Sequence, residues 1–112
     1  MIISSVRMNT SGRHYKLSQG SEYMGDDYWK WWIFVEGSDN DLDRIENVVY
    51  NLHYTFVDPV RTISTRENNF RLETSGWGVF PVYARINFKD HTVLEMEHEL
   101  ELYYPGGKKC EK

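Results

Sequence analysis

The fold is decided by residues 80–104, which read FPVYARINFKDHTVLEMEHELELYY. From Val93 to Tyr104 the apolar residues and His98 fall on one side of an extended chain, and four glutamates fall on the other. A helix would scatter those glutamates around its circumference, whereas a strand places them on one solvated face. Residues Phe80–Phe88 alternate in the same way. With a turn at residues 89–91, the pattern predicts two adjacent amphipathic strands.

The same alternation of period two recurs upstream, and no long helical stripe interrupts it. Residues 28–36 carry apolar side chains at alternate positions and also place Trp32 and Phe34 on the opposite side, so we expect both faces of this strand to be covered. Seven or eight short strands in a chain of this length predict an all-β, two-sheet antiparallel sandwich. The further predicted strands are Tyr28–Glu36, Ile45–Leu52 and Phe70–Thr74, with weaker ones at Ile2–Met8 and His14–Leu17.

Length and composition favour one folded domain. The chain has 112 residues, 40% of them hydrophobic and 15% aromatic, which suffices for one core and is untypical of a disordered chain. We therefore predict a single domain over residues 1–105. Pro105 and the two glycines after it end the last strand, and we predict a flexible basic tail over residues 106–112.

Charge and cysteine content exclude several functional classes. The formal net charge of −4 argues against direct nucleic-acid binding, because such domains carry a cationic excess. The single cysteine, Cys110, suits a reducing compartment. Met1–Arg7 has no secretory pattern, and the apolar run Trp31–Val35 is too short to span a membrane. We therefore expect a cytoplasmic location, or a nuclear one in a eukaryote, and no membrane partner.

Metal and catalytic motifs are weak. Asp39, Asp41 and Asp43 resemble the start of a calcium loop, but the glycine and the final glutamate of that loop are missing. The histidines do not have the spacing of zinc ligands, and a hydrogen-bonded core role is expected for His98. The aligned glutamates share one exposed environment, which would not separate their pKa values as acid–base catalysis requires. We predict no metal, no cofactor and no enzymatic activity.

Two segments depart from the strand pattern and are the candidates for binding. Leu52–Phe56 closes one strand before Asp58, and Ser75–Phe80 forms a loop that enters the next. Each places a large aromatic residue among small or polar ones at a strand end, where the loops of a sandwich cluster. The residues alone leave two interpretations open: the aromatics Phe56 and Trp77 either complete the core or form a binding site.

At these segments the chain resembles the YEATS domain family, over about residues 28–104. The two most specific motifs are Leu-His-Tyr-Thr-Phe at residues 52–56 and Gly-Trp-Gly at residues 76–78, in that order. Supporting matches are Trp31–Gly37, Ile45–Asn51, Pro59, Arg61, Phe70–Ser75, Val79–Phe80, Ile86–Asp90 and His98–Leu102.

The resemblance implies an immunoglobulin-like antiparallel β-sandwich that binds acylated lysine, such as acetyl-lysine or crotonyl-lysine, without catalysis. The implied partner is an acylated peptide or protein, a histone tail if the source is eukaryotic. The implied acyl-lysine site has Phe56 and Trp77 as two aromatic walls, Thr55 as a hydroxyl that meets the acyl amide, His53 at the border of the pocket, and Gly76, Trp77 and Gly78 as the loop whose backbone N–H groups face the acyl carbonyl.

Some residues differ from the familiar eukaryotic pattern. Asn68 and Asn69 stand where many members have prolines, and Tyr54 occupies a position that is usually acidic. The chain is more similar to the stand-alone or prokaryotic branch of the family. The alternative function is therefore a protein-interaction or ligand-sensing module of a bacterial signalling or defence complex, in which the pocket is degenerate or binds a different ligand.

Overall fold

The computed structural model describes residues 15–111, and within them the chain forms seven strands in two antiparallel sheets. One sheet has the order β1-β2-β5 and the other the order β4-β3-β6-β7. This confirms the predicted all-β, immunoglobulin-like sandwich. The strands are β1 Lys16–Gly25, β2 Tyr28–Glu36, β3 Ile45–Asn51, β4 Val60–Ile63, β5 Leu72–Gly76, β6 Pro81–Phe88 and β7 Val93–Glu99; a short helix, α1, covers Asp39–Asp43, and a 3-10 turn covers Glu67–Asn69.

The core lies between the two sheets and follows the alternation of the sequence. On β2 every second residue is fully buried, and the inward residues of β6 are buried. Tyr50 on β3 is also fully buried, and its hydroxyl donates to the carbonyl oxygen of Phe70 at 2.8 Å. The fully buried residues on β2 are Trp29, Trp31, Ile33 and Val35.

The outer face of β2 is covered in part, as expected. Trp32 and Phe34 are half-buried there. The guanidinium carbon of Arg71 lies 4.7 Å from the centroid of the Trp32 ring, a cation–π contact. A Cβ on Gly20 of the neighbouring strand would come within 2.5 Å of the indole, so this position requires glycine for the ring to lie flat against the backbone.

Two local features set the start of β2 and the region after it. Asp26 and Asp27 have φ values of 55° and 56°, which makes a type I′ hairpin turn between β1 and β2 and brings Tyr28 to the strand start. Ser38 caps α1 by accepting from the backbone N–H of Asp41 at 3.1 Å. Arg66 pairs with Asp43 and Asp39 at 2.9 and 3.2 Å, so part of the acidic segment is neutralised by an arginine.

Several predicted boundaries were wrong. The final strand ends at Glu99, not at Tyr104, because Gln19 on β1 takes over the hydrogen bonds of Glu101: its side chain accepts from the backbone N–H and donates to the carbonyl oxygen, both at 2.7 Å. Strand β5 runs from Leu72 to Gly76, since Phe70 has a left-handed backbone (φ 58°) that cannot begin a strand.

At the start of the chain, the weak strand at Ile2–Met8 and residue His14 lie outside the described residues, whereas β1 extends far beyond the predicted Leu17. Strand β4 was not predicted. Its four residues follow Pro59 and show no burial contrast strong enough to be read from sequence.

The end of the chain, where the sequence predicts a flexible basic tail over residues 106–112, makes specific contacts with the sandwich. Tyr103 and Lys109 form an antiparallel bridge across the turn made by Gly106 and Gly107, whose φ values are 98° and 99°. The backbone N–H of Cys110 donates to Leu102 at 2.7 Å, and its side chain is buried in the core. The Gly-Gly turn folds residues 108–110 back onto the sandwich. No helix in the described residues is long and apolar enough to cross a membrane.

Candidate functional site

The six residues implied by the sequence motifs line one cavity of about 330 Å³ at one end of the sandwich. The cavity is formed where the chain leaves β3 and where the β5–β6 loop enters β6. Two loops that are distant in sequence meet there because β3 and β6 are neighbours in the same sheet. The lining residues are Tyr28, His53, Thr55, Phe56, Val57, Ser75, Gly76, Trp77, Gly78, Val79 and Phe80.

The loop after β3 is held in place by its own hydrogen bonds. The backbone N–H of Leu52 donates to Pro59 at 2.8 Å and closes the loop at its base. Phe56 N–H donates to the carbonyl oxygen of His53 at 3.0 Å, which makes a turn. Arg61 on β4 donates from Nη2 to the carbonyl oxygen of Val57 at 2.9 Å, fixing the far side of the loop. These hydrogen bonds hold the loop segment that carries Thr55 and Phe56.

His53 and Thr55 form a hydrogen-bonded pair within this loop. Nδ1 of His53 lies 2.8 Å from Oγ1 of Thr55, and the backbone N–H of Thr55 donates to the same Nδ1 at 3.3 Å. Because Nδ1 accepts from the backbone, the neutral ring carries its proton on Nε2. The Thr55 hydroxyl then donates to Nδ1, which leaves its oxygen lone pairs available to accept from a ligand N–H.

The two aromatic residues implied as walls stand in different environments. Phe56 is half-buried, with its ring 5.4 Å from Phe80 and edge-on to Trp31 at 6.4 Å. Trp77 is 61% exposed. Both line the same cavity, so they face one end of the molecule. Phe56 packs against the core, whereas most of the Trp77 side chain is accessible to solvent.

Gly76 lies close to the rings of Phe56 and Trp31, so a side chain at this position would narrow the space between them and the loop. A Cβ there would lie 3.4 Å from Cζ of Phe56 and 3.8 Å from Nε1 of Trp31. The missing side chain keeps the wall of the cavity thin between the loop backbone and the core. The Trp31 indole N–H lies behind this wall and is buried without a hydrogen-bond partner among residues 15–111.

The six implied site residues leave out part of the lining, although Ser75 begins one of the two candidate binding segments. Tyr28 at the start of β2 and Ser75 near the end of β5 both border the cavity, with their hydroxyl oxygens 3.1 Å apart. Their proximity depends on the pairing of β2 with β5, in which Lys30 stands opposite Ser75. No local motif encodes that register. The sequence signal available for Tyr28 was its aromatic side chain at the start of a predicted strand.

Within the part of the chain that the structure describes, His53 is the one residue of the cavity lining whose side chain can carry a charge near neutral pH. Among the described residues that line the cavity there is no aspartate, glutamate, lysine or arginine. The described residues also contain no group of three or more His, Cys, Asp or Glu side chains arranged to hold a metal ion. The polar groups of the cavity are hydroxyls, one imidazole and loop backbone, which is a set suited to a neutral ligand with hydrogen-bonding capacity.

The two-sheet antiparallel sandwich is a fold that this chain shares with known proteins. The family described as the prokaryotic YEATS domain matches residues 29–101. That match covers more than half of the chain, which therefore belongs to the YEATS domain family.

Eukaryotic relatives are similar over the same region. The Protein AF-9 homolog of Schizosaccharomyces pombe is 37% identical over 87 residues, covering 73% of this chain and 39% of that protein. Transcription initiation factor TFIID subunit 14b of Arabidopsis thaliana is 33% identical over 90 residues, covering 76% of this chain and 32% of that protein. The chain thus spans about a third to two fifths of the length of these curated relatives.

Solved structures give the same result. The Yaf9 YEATS domain bound to H3K27ac superposes with a TM-score of 0.63 at 28% identity, covering 80% of this chain and 70% of that one. The Yaf9 YEATS domain recognizing the H3K122suc peptide gives 0.61 at 29% identity, covering 79% and 70%. Yeast Yaf9, an AF-9 homolog, gives 0.68 at 26% identity, covering 87% and 76%.

Proposed function

We propose that this domain binds acylated lysine, taking the neutral acylamide between Phe56 and Trp77. One observation carries the proposal: an open, uncharged cavity brings both aromatic residues together with the Thr55 hydroxyl. YEATS structures bound to H3K27ac and H3K122suc support an acylated peptide as the class of ligand. The partner of this chain is then an acylated peptide or protein, a histone tail if the source is eukaryotic.

The residue types fit the chemistry of such a ligand. Acylation removes the charge of lysine and leaves a planar amide with a small apolar end. Two π faces can bury that end, while the lone pairs of Thr55 accept from the amide N–H. Backbone N–H groups of residues 76–78 would donate to the acyl carbonyl, because glycines on either side of Trp77 permit close approach. The amide would then not be buried without partners.

An unmodified lysine would bind poorly by the same reasoning. Its ammonium group would lose hydration on entering the cavity, where no lining carboxylate is present among the described residues to replace it. A side chain of about ten non-hydrogen atoms contributes roughly 0.3–0.6 kcal/mol per atom, so the acyl-lysine alone would bind with a Kd between about 6 mM and about 40 µM. Contacts with flanking residues would have to supply any greater affinity.

The surface beside the cavity favours a cationic flank. Glu99 on β7 stands opposite Pro81, which directly follows the cavity residue Phe80. Glu99 is exposed and has no ion-pair partner among the described residues. Together with the net charge of −4, this makes a peptide with lysine or arginine near the acylated residue the preferred carrier.

The test is a calorimetric titration with one lysine peptide in unmodified, acetylated and crotonylated forms. We expect binding of the acylated forms only. Trp77→Ala should weaken binding at least about tenfold, because it removes one wall of the slot. Thr55→Val keeps the shape and removes the hydroxyl, and should weaken binding about three- to tenfold.

The matched control is Tyr83→Ala, which removes an aromatic ring that is 51% exposed on the outer face of β6 and is not among the residues that line the cavity. It should bind like the parent. Since Phe56 also packs against the core, Phe56→Ala is informative only if its thermal midpoint stays close to that of the parent. Equal binding of acylated peptide by the parent and by Trp77→Ala would show that the pocket assignment is wrong.

A second candidate function is a protein-interaction or ligand-sensing module of a bacterial signalling or defence complex. It is favoured by the rim of the cavity, where Tyr54 is 82% exposed and Val57 is 83% exposed. The Tyr54 ring stacks on His53 at 4.3 Å and so presents its other face outward. A partner that binds equally with and without acylation, and that is lost in Tyr54→Ala, would favour this function over acyl-lysine binding.

The absence of enzymatic activity and of a cofactor, and the cytoplasmic or nuclear location, stay predictions. Turnover of an acylated peptide that depends on His53 would contradict the first of these.

A further inference from the structure

We infer that Tyr28 and Ser75 form a second polar point in the cavity and select acyl chains that carry a hydroxyl group. The inference rests on the proposed acyl-lysine function and concerns the far end of the same ligand. Both residues line the cavity, and their hydroxyl oxygens lie 3.1 Å apart. Neither is among the six residues that the resemblance implies for the acyl-lysine site.

The pair has hydrogen-bonding capacity to spare. Two hydroxyls offer two O–H donors and four lone pairs, and their mutual bond uses one of each. No other partner contacts either hydroxyl among residues 15–111, and Tyr28 is 42% exposed. One donor and up to three acceptor positions therefore remain for a ligand or for water.

The hydroxyl pair of Tyr28 and Ser75 lies on the other side of the sandwich from Thr55, where the end of the acyl chain is expected. Thr55 belongs to the loop after β3, which is part of the four-stranded sheet, whereas Tyr28 and Ser75 belong to the three-stranded sheet. All of these residues line one cavity. A ligand with its amide N–H at Thr55 and its acyl group between Phe56 and Trp77 would place its chain end at the hydroxyl pair if the chain extends towards the three-stranded sheet.

The chemistry selects a neutral polar substituent. A purely apolar chain end would displace water from the two hydroxyls without replacing its hydrogen bonds, which weakens binding. A hydroxyl on the acyl chain can both donate and accept, and so restores them. It also needs no countercharge, in keeping with a lining that contains no charged side chain among the described residues.

The experiment uses one lysine peptide in butyryl form and in each enantiomer of the 3-hydroxybutyryl form, so that the probes differ by a single hydroxyl. We expect the parent domain to bind one 3-hydroxybutyryl enantiomer about three- to tenfold more tightly than the butyryl peptide. In Tyr28→Phe and in Ser75→Ala, the ratio of the two dissociation constants should fall towards one. In the control Tyr83→Phe the ratio should stay as in the parent.

The two proposals fail in distinguishable ways. If the butyryl peptide binds but neither hydroxylated form binds more tightly, the selection at Tyr28 and Ser75 is refuted and the acyl-lysine function stands. If the preference exists but persists in both variants, the hydroxyl is read elsewhere, and the assignment to this pair is refuted. If no acylated peptide binds more tightly than the unmodified one, the proposed function fails and the selection fails with it.

Discussion

The interior of the sandwich and the rim of the cavity each contain a tryptophan, Trp31 and Trp77, and the two side chains serve different purposes. Trp31 lies in the middle of β2, is fully buried and contacts the rings of Phe56 and Phe80. Trp77 lies in a glycine-flanked loop and is 61% exposed. Burial of a large ring stabilises the fold, whereas an exposed ring beside a cavity is available to a ligand. The interior therefore carries the stability, and the rim is free to carry recognition.

The largest expected effect is the difference in the free energy of unfolding that is lost when each tryptophan is replaced by alanine. Trp31→Ala should lower the free energy of unfolding by about 3–5 kcal/mol, because it leaves a cavity between the sheets. Trp77→Ala should change it by no more than about 0.5 kcal/mol, since an exposed loop side chain has little packing to lose. Urea denaturation of both variants measures the difference. Equal destabilisation by the two would refute the division between interior and rim.

An effect of intermediate size is expected when the hydroxyl of a buried tyrosine is removed and compared with that of an exposed one. The Tyr50 hydroxyl donates to Phe70, and burial raises the pKa of this phenol well above its usual value. Tyr50→Phe strands the Phe70 carbonyl in the core and should lower the free energy of unfolding by about 1–2 kcal/mol. Tyr83→Phe on the exposed face should lower it by less than about 0.5 kcal/mol. If denaturation finds Tyr50→Phe as stable as the parent, this bond contributes nothing.

The smallest expected effect is the pH dependence contributed by His98, at the edge between the two sheets. Burial lowers the pKa of His98 below its ordinary 6.5, and Glu101 and Glu99 oppose the shift. The unfolded chain then binds more protons than the folded one just below pH 6.5, so stability is full above that value and falls as the pH drops through the folded pKa.

The effect is measured by comparing the parent with His98→Gln by denaturation at about pH 7.5 and about pH 5.5. The parent should lose more stability on acidification than the variant does. His91→Asn, a change at an exposed turn histidine, should retain the loss seen in the parent. An identical loss in the parent and in His98→Gln would exclude His98 as the source.

Local pattern predicted most of the interior and the candidate site. The bounds of β2 agree with the prediction, and those of β3 and β6 agree to within one residue, because alternation over seven to nine residues admits only one buried face. The motifs around His53 and Trp77 named six residues that line one cavity. Short or composite features were missed: β4 has four residues, and the return of Cys110 to the core depends on a turn after a polar stretch.

The order of polar and apolar residues was enough to determine that this chain folds as a two-sheet sandwich, since each strand needs only its own alternation to define a face. The loop motifs were enough to place the chain in a family. The meeting of Tyr28 with Ser75, the clamp of Gln19 on Glu101 and the exposure of Trp77 were decided by the tertiary structure. Each of them joins residues that lie far apart in sequence or depends on surrounding packing, and such contacts follow from strand register and sheet order, which no local pattern encodes.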